Sequence, residues 1–397
     1  MDEETLIALA FGDPPLIGGA RLLSGDVPGT SPRRRLLTAI VLGARGRYAA
    51  ATTILDRLRR EPDPVVASLA GSTLASHRRQ LGGHAAARKL DGAALLMVGA
   101  RAVRPGQLDG GDVAPGRSAT GQDRVEKRND GAYGSRRDSG PEHPTGSVAR
   151  DPNGAARHPA DPDGAGLPTA VTGVAEAGRS DAADPASADP GGARTGAAPD
   201  DRSAAVAANH ASSDPDVIDP DGLDVAGARA DALLGLAADN LALGRSGAAR
   251  RLAVRAAQAD RRWRAAVRGG WVAAEIELAG GRPPDAVAPA RRALEIARVR
   301  GARRHAVKSA IVLGVALTAA GEGGAIELLG AALEEAEKYE LHSLTWVAAQ
   351  VTADLDTGHA ERYRFRSREV LHAVLQRADP CVMRIARESP WVPAGAG

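Results

Sequence analysis

A glycine-centred turn between two alanine-rich arms recurs along this chain. Residues 241–257 read LALGRSGAARRLAVRAA, residues 278–294 read LAGGRPPDAVAPARRAL, and residues 317–333 read LTAAGEGGAIELLGAAL. Nearer the N-terminus, residues 42–58 read LGARGRYAAATTILDRL and residues 79–95 read RQLGGHAAARKLDGAAL. Ala51, Ala87, Ala249, Ala286 and Ala325 hold the same place in the second arm, 36 residues apart in the first block and 37 and 39 apart in the second. Self-similarity at this period marks stacked helix-turn-helix units. Antiparallel helices approach closely only where some contact positions lack bulk. The turn glycine can take φ > 0 and so ends the first helix tightly. Aliphatic residues at i, i+3 and i+4 then fill the seam to the next unit. One helix pair cannot bury its apolar face, but a stack can. The expected fold is therefore all-α: antiparallel helix-pair repeats stacked as an α-solenoid.

The register of small residues resembles the tetratricopeptide repeat (TPR). Ala237, Ala249 and Ala256 take that family's small positions, as do Ala274, Ala286 and Ala293. Gly314 and Ala332 follow with a one-residue shortening of the turn, and Ala39, Ala51, Ala75 and Ala87 follow near the N-terminus. The family's bulky aromatic early in the first helix is mostly missing, and so is its closing proline. A further helical pair, with a more polar outer side, is expected over 342–377, where it would cap the stack.

Between residues 104 and 224 the pattern stops. Tyr133 is the sole aromatic there, and Asp-Pro recurs at 151, 161, 184, 189, 214 and 219. Such a stretch cannot bury enough apolar surface to offset its ordering entropy. The resulting organisation is N-terminal repeats over 1–103, a long disordered insertion over 104–224, C-terminal repeats over 225–380, and a flexible tail over 381–397. The insertion holds 12 basic and 21 acidic residues, so the remainder of a +2 chain carries +11. It is either an inert expansion or an acidic arm that shields a basic face.

Chemistry is sparse. No phosphate-binding GxxxxGK[ST] loop, HExxH, GxSxG or CxxC occurs. His77 and His84 are separated by Gly82-Gly83, which breaks the helix a shared metal would need. His305, His342, His359 and His372 fall near expected helix ends, where a cation would answer the helix dipole. Cys381 follows a proline with no adjacent base. No cofactor, metal or catalytic role is expected. One cysteine fits a reducing compartment. The acidic start MDEETLIALAFGDPP lacks the basic head and long apolar core of a signal peptide, and no run of about 18 apolar residues occurs. A cytoplasmic protein without a membrane partner is expected.

Charge distribution is the feature above background. Arg245 to Lys308 holds 16 basic and 5 acidic residues, whereas Glu322 to Glu340 is net −5. Only four of the 51 basic residues are lysine, as a GC-rich bacterial coding sequence would produce, so part of the arginine excess is compositional. The stretch is either a solvated arginine face or a surface for an acidic peptide or nucleic acid. Interleaved aromatics for base stacking are nearly absent. In the resembled family the first helices of the pairs line a concave groove, which would place Arg268, Trp271, Glu275 and Lys308 on it. Trp271 is either an interface anchor or a core ring. The expected function is a protein-interaction scaffold whose groove holds an acidic peptide or helix of a partner. The alternative is a regulatory module that acts with nucleic acid or a transcription complex through 245–308.

Overall fold

The computed structural model describes residues 2–12, 30–99, 218–390 and 392. The expected insertion lies largely outside them. Fourteen helices and no strand occur among the described residues. They are α1 (Glu3–Phe11), α2 (Pro32–Ala44), α3 (Tyr48–Leu58), α4 (Pro64–Arg79), α5 (His84–Gly99), α6 (Val225–Ala242), α7 (Ser246–Ala259), α8 (Trp263–Ala279), α9 (Pro283–Val299), α10 (Arg303–Ala319), α11 (Ala325–Lys338), α12 (His342–Leu355), α13 (Ala360–Leu375) and α14 (Pro380–Glu388). None is long and apolar enough to cross a membrane.

Helix starts follow side-chain caps. Ser31 and Asp63 accept from backbone N–H groups of the first turns of α2 and α4, each followed by a proline in that turn, and Asp379-Pro380 repeats the device at α14. Proline there gives up an N–H that the helix leaves unpaired anyway. The aspartate or serine supplies an acceptor to one of the remaining orphan donors. Turns within pairs use glycine with positive φ, as at Gly46 (70°) and Gly244 (73°), where a Cβ would be strained.

Consecutive helices pack as pairs: α2 with α3, α4 with α5, α6 with α7, α8 with α9, α10 with α11, and α12 with α13. The first members also touch in order, α2 to α4, α6, α8, α10 and α12, and α12 returns to α2. Helices before and after the undescribed segment thus belong to one compact unit. Packing of α1 on both α2 and α10 ties the same two blocks.

The small residues are buried between the helices. Ala51, Ala87, Ala249 and Ala286 are each the fourth residue of their helices and are fully buried. Ala237, Ala256, Ala274 and Ala293 are buried as well. Ala325 breaks the rule, because it is the first residue of α11. In that pair Gly314 makes the room, since a Cβ there would stand 2.7 Å from Cγ of the buried Leu329.

Two boundaries differ from expectation. Residues 381–388 are not tail: α14 buries Val382 and Ala386 in a cluster with Tyr48, Leu81, Val374 and Leu375. Their i, i+4 spacing puts both on one helix face. Residues 219–224, assigned from sequence to the insertion, form an ordered turn. The Asp219 carboxylate accepts from the N–H groups of Asp221 (2.8 Å) and Leu223 (3.1 Å) and from Arg33 (2.5 Å). Asp224 caps α6 by accepting from Gly227 N–H at 2.9 Å. Arg262 grips Asp224 and Asp260, and Arg264 donates to the carbonyls of Asp221 (2.6 Å) and Gly222 (2.8 Å). Arginines distant in sequence therefore order a turn whose composition alone reads as disorder.

Candidate functional site

A cavity of about 150 Å³ lies among α4, α6, α8 and α10, bounded also by Phe11 of α1, Ile40 of α2 and Leu344 of α12. Along α8, Arg264, Arg268, Trp271 and Glu275 are spaced four, three and four apart, which sets them on one face. Arg304 and Lys308, four apart on α10, complete the basic wall. An adjoining cavity of about 190 Å³ shares Arg79, Gln80, Glu275 and Lys308 with the first.

The cations are held in different ways. Arg264 Nη1 lies 2.7 Å from Asp231 Oδ2, and Arg268 takes the other oxygen of that carboxylate. Arg79 Nε lies 2.7 Å from Asp239 Oδ1 and its Nη2 pairs with Asp91. His84 Nδ1 adds a 3.2 Å contact to Asp239. Burial pushes the Asp91 carboxyl up to about 7, against the pull of Arg79. Lys308 Nζ lies 4.6 Å from the centroid of the Trp271 ring, a cation–π contact. Burial pushes Lys308 down to about 8; Glu275 opposes this, and Arg268, Arg79 and Arg304 add to it. Burial raises Glu275 while Lys308 pulls it down.

The aromatic side is equally dense. His305 stacks on Trp271 with centroids 5.7 Å apart and meets Trp263 edge-on at 5.0 Å. Trp271 Nε1 donates to Ser309 Oγ at 2.8 Å. On the opposite wall, His77 lies 5.1 Å from the Tyr48 ring, whose hydroxyl donates to Gln80 Oε1 at 2.5 Å. Gly43 leaves room for this imidazole, because a Cβ there would stand 2.0 Å from His77 Nε2. Burial pushes His77 down to about 3 and His305 well below the ordinary imidazole range, with Arg304 adding to both. Both rings are neutral near pH 7.

The four residues expected on a groove, Arg268, Trp271, Glu275 and Lys308, all line this cavity. Of the two readings of Trp271 the core ring is the one seen: it is 9% exposed, in one cluster with Val267, Leu294 and Ile311, and it also lines the cavity. Sequence reasoning missed Arg304, Arg264, Arg79, Asp231, His77 and Phe11. The i, i+4 pairs Arg304/Lys308 and Arg264/Arg268 were a usable signal; the contributions of α1 and α4 depend on long-range closure. His305 corrects an expectation. Expected as a cation at a helix end, it occupies the first turn of α10, where a cation would oppose the dipole, and burial keeps it neutral.

The basic stretch is partly neutralised. Of its sixteen basic residues, Arg250, Arg262, Arg264, Arg268, Arg282, Arg291, Arg300 and Arg303 make ion pairs. No protein-family model matches the chain, and no curated protein or solved structure shows significant similarity to it.

Proposed function

We propose that the chain is a TPR-like α-solenoid that acts as an interaction scaffold, binding a partner rather than catalysing a reaction. The order of helix contacts and the buried small residues at the repeat positions support the architecture. The observation that carries the function is the convergence of Arg268, Trp271, Glu275 and Lys308, from two neighbouring first helices, on one cavity with Arg304 beside them. A ring, two aliphatic stems and several cations at one place suit an acidic, apolar-bodied group. A cavity of about 150 Å³ is too small for a helix about 10 Å across, so the partner element is an extended segment or a single inserted side chain.

Fluorescence anisotropy with labelled acidic peptides tests this reading. Arg268→Gln and Lys308→Met are expected to weaken binding at least tenfold, whereas Arg255→Gln, on the exposed face of α7, leaves it unchanged. Equal affinities across the three variants would refute the assignment. The nucleic-acid alternative keeps its support from exposed arginines without an ion pair among the described residues, such as Arg251, Arg255 and Arg292. It requires a steep loss of DNA affinity with salt.

A further inference from the structure

Charge in the cavity does not balance. Five cations line it, namely Arg79, Arg264, Arg268, Arg304 and Lys308. Four carboxyl groups face them: Asp231 and Glu275 in the wall, and Asp239 and the partly protonated Asp91 behind Arg79. Cations outnumber the carboxyl groups by at least one, and Arg304 is the guanidinium with no carboxylate of its own among the described residues. Arg304 makes no ion pair among the described residues, while Arg79, Arg264 and Arg268 each do and Lys308 rests on Trp271. Tyr48, His77 and His305, which all feel the Arg304 charge, carry no compensating charge at neutral pH. Tyr48 is kept protonated by burial, and His77 and His305 are neutral. A guanidinium cannot shed its proton as a lysine can, so half-buried Arg304 keeps its charge and presents it to an anion entering the cavity.

A second observation falls on the same walls. The Nδ1 atoms of His77 and His305 are buried and have no hydrogen-bond partner among the described residues. The side chains are 2% and 6% exposed, so bulk solvent does not serve them. A neutral imidazole carries one N–H, which can sit on Nδ1 and donate to an oxygen. The guanidinium and the two imidazole rings thus line one cavity, whose wall has an apolar side of Phe11, Ile40, Trp271, Val272 and Leu344 and a polar side of Ser72, Thr73, Ser76 and Gln80.

We propose that the cavity binds a small monocarboxylate with an apolar body, its carboxylate on Arg304 and its body against Trp271 and Phe11. A single guanidinium without an ion pair is met by one negative charge, which favours a carboxylate over a phosphate dianion. The planar guanidinium matches a carboxylate through two parallel hydrogen bonds. A void of about 150 Å³ takes a benzene-sized body. Because the ligand would touch α1, α4, α8 and α10 at once, it would join helices from both sides of the undescribed segment. The inference rests on the cavity being the binding site, as in the scaffold reading, but needs no protein partner.

The test uses the full chain and calorimetric titration with phenylacetate, its neutral amide phenylacetamide, and phenyl phosphate. Phenylacetate is expected to bind and to raise the melting temperature, with phenylacetamide at least tenfold weaker. Arg304→Gln should cost phenylacetate tenfold or more without lowering the melting temperature of the free protein, because it removes an uncompensated charge. Arg304→Lys keeps the charge but loses the paired hydrogen bonds, and should fall between the two. Three outcomes overturn the inference: no phenylacetate binding, equal binding of acid and amide, or phenyl phosphate the tightest of the three. Acidic peptide bound without phenylacetate would also overturn it and leave the scaffold standing. Phenylacetate bound without any peptide would uphold it and remove the scaffold.

Discussion

Gly235 on α6 offers a sharp test of how the two helical blocks are joined. A Cβ at this position would stand 2.1 Å from Asp91 Oδ2 and 2.4 Å from its Cγ. Asp91 is fully buried on α5, pairs with Arg79 of α4, and already leaves Oδ1 without a partner. In Gly235→Ala the carboxylate must retreat by about an ångström to reach normal contact, which stretches its pair with Arg79 past the usual hydrogen-bond length. Breaking a buried pair from one side costs about 3–5 kcal/mol. Arg79 keeps Asp239, so the lower figure applies, and alanine returns about 1 kcal/mol of helix propensity. The net expected loss is about 2 kcal/mol. Urea unfolding followed by far-UV circular dichroism measures it, provided the slope with denaturant is unchanged. The double mutant carries the argument. Once Asp91→Ala has removed the obstruction, Gly235→Ala should become neutral or stabilise by up to about 1 kcal/mol, a coupling of about 2–3 kcal/mol. Gly92→Ala, one residue from Asp91 with no atom within 4 Å of its Cβ site, should stabilise by about 0.5–1 kcal/mol. Parent-like stability of Gly235→Ala, or the same penalty with and without Asp91, would refute the reasoning.

Three further outcomes follow from the same geometry. Ala249→Leu and Ala286→Leu should each lower the urea midpoint by an amount equivalent to about 1–3 kcal/mol through overpacking, and unchanged midpoints would show the repeat register to be misplaced. His77 titrates near 3 in the fold against 6.5 when free, so the unfolded chain binds the proton more tightly. Its contribution to stability is complete above pH 6.5 and is lost as pH falls; His77→Gln should flatten the decline between pH 6.5 and 4 by about 3 kcal/mol, read as urea midpoints at several pH values. Asp91 works in the opposite direction over pH 4 to 7, but it is common to parent and variant and cancels in the comparison. Arg262→Ala should loosen the 219–224 turn and raise amide exchange at Asp221 and Leu223, and unchanged protection there would show the turn to be ordered by its own backbone.

Local features of this fold were legible in the sequence, and closure was not. The alanines at 51, 87, 249 and 286 fixed the pairing because a helix contact has a short-range signature: small residues at set offsets from a turn glycine. Asp379-Pro380 with Val382 and Ala386 four apart was an equally local signal, hidden by a Pro- and Gly-rich terminus. The 219–224 turn had no such signature. Its Asp-Pro start matches the preceding hundred residues, and its order is supplied by Arg33, Arg262 and Arg264 from elsewhere in the chain. For the site, Arg268, Trp271 and Glu275 were readable as one face of α8. His77 and Arg79 reach the same cavity because α2, α4 and α12 come together, and helical periodicity within one segment carries no information about that.

The return of α12 to α2 changes what kind of unfolding this chain can undergo. In an open row of repeats each unit has two neighbours except the outermost, which have one and fray first. Here the outermost pairs have each other: Ala49 N–H donates to the Arg377 carbonyl at 2.9 Å, Thr52 to the Asp379 carboxylate at 3.1 Å, and Val374 fills the space beside Gly46. A boundary between ordered and melted units therefore cannot be created at a free end. Two must open at once, at opposite sides of a melted stretch, so partial unfolding carries a double interfacial penalty. Hydrogen exchange at α2 and α13 should accordingly match that at α8, where an open array would show a gradient from the ends to the middle.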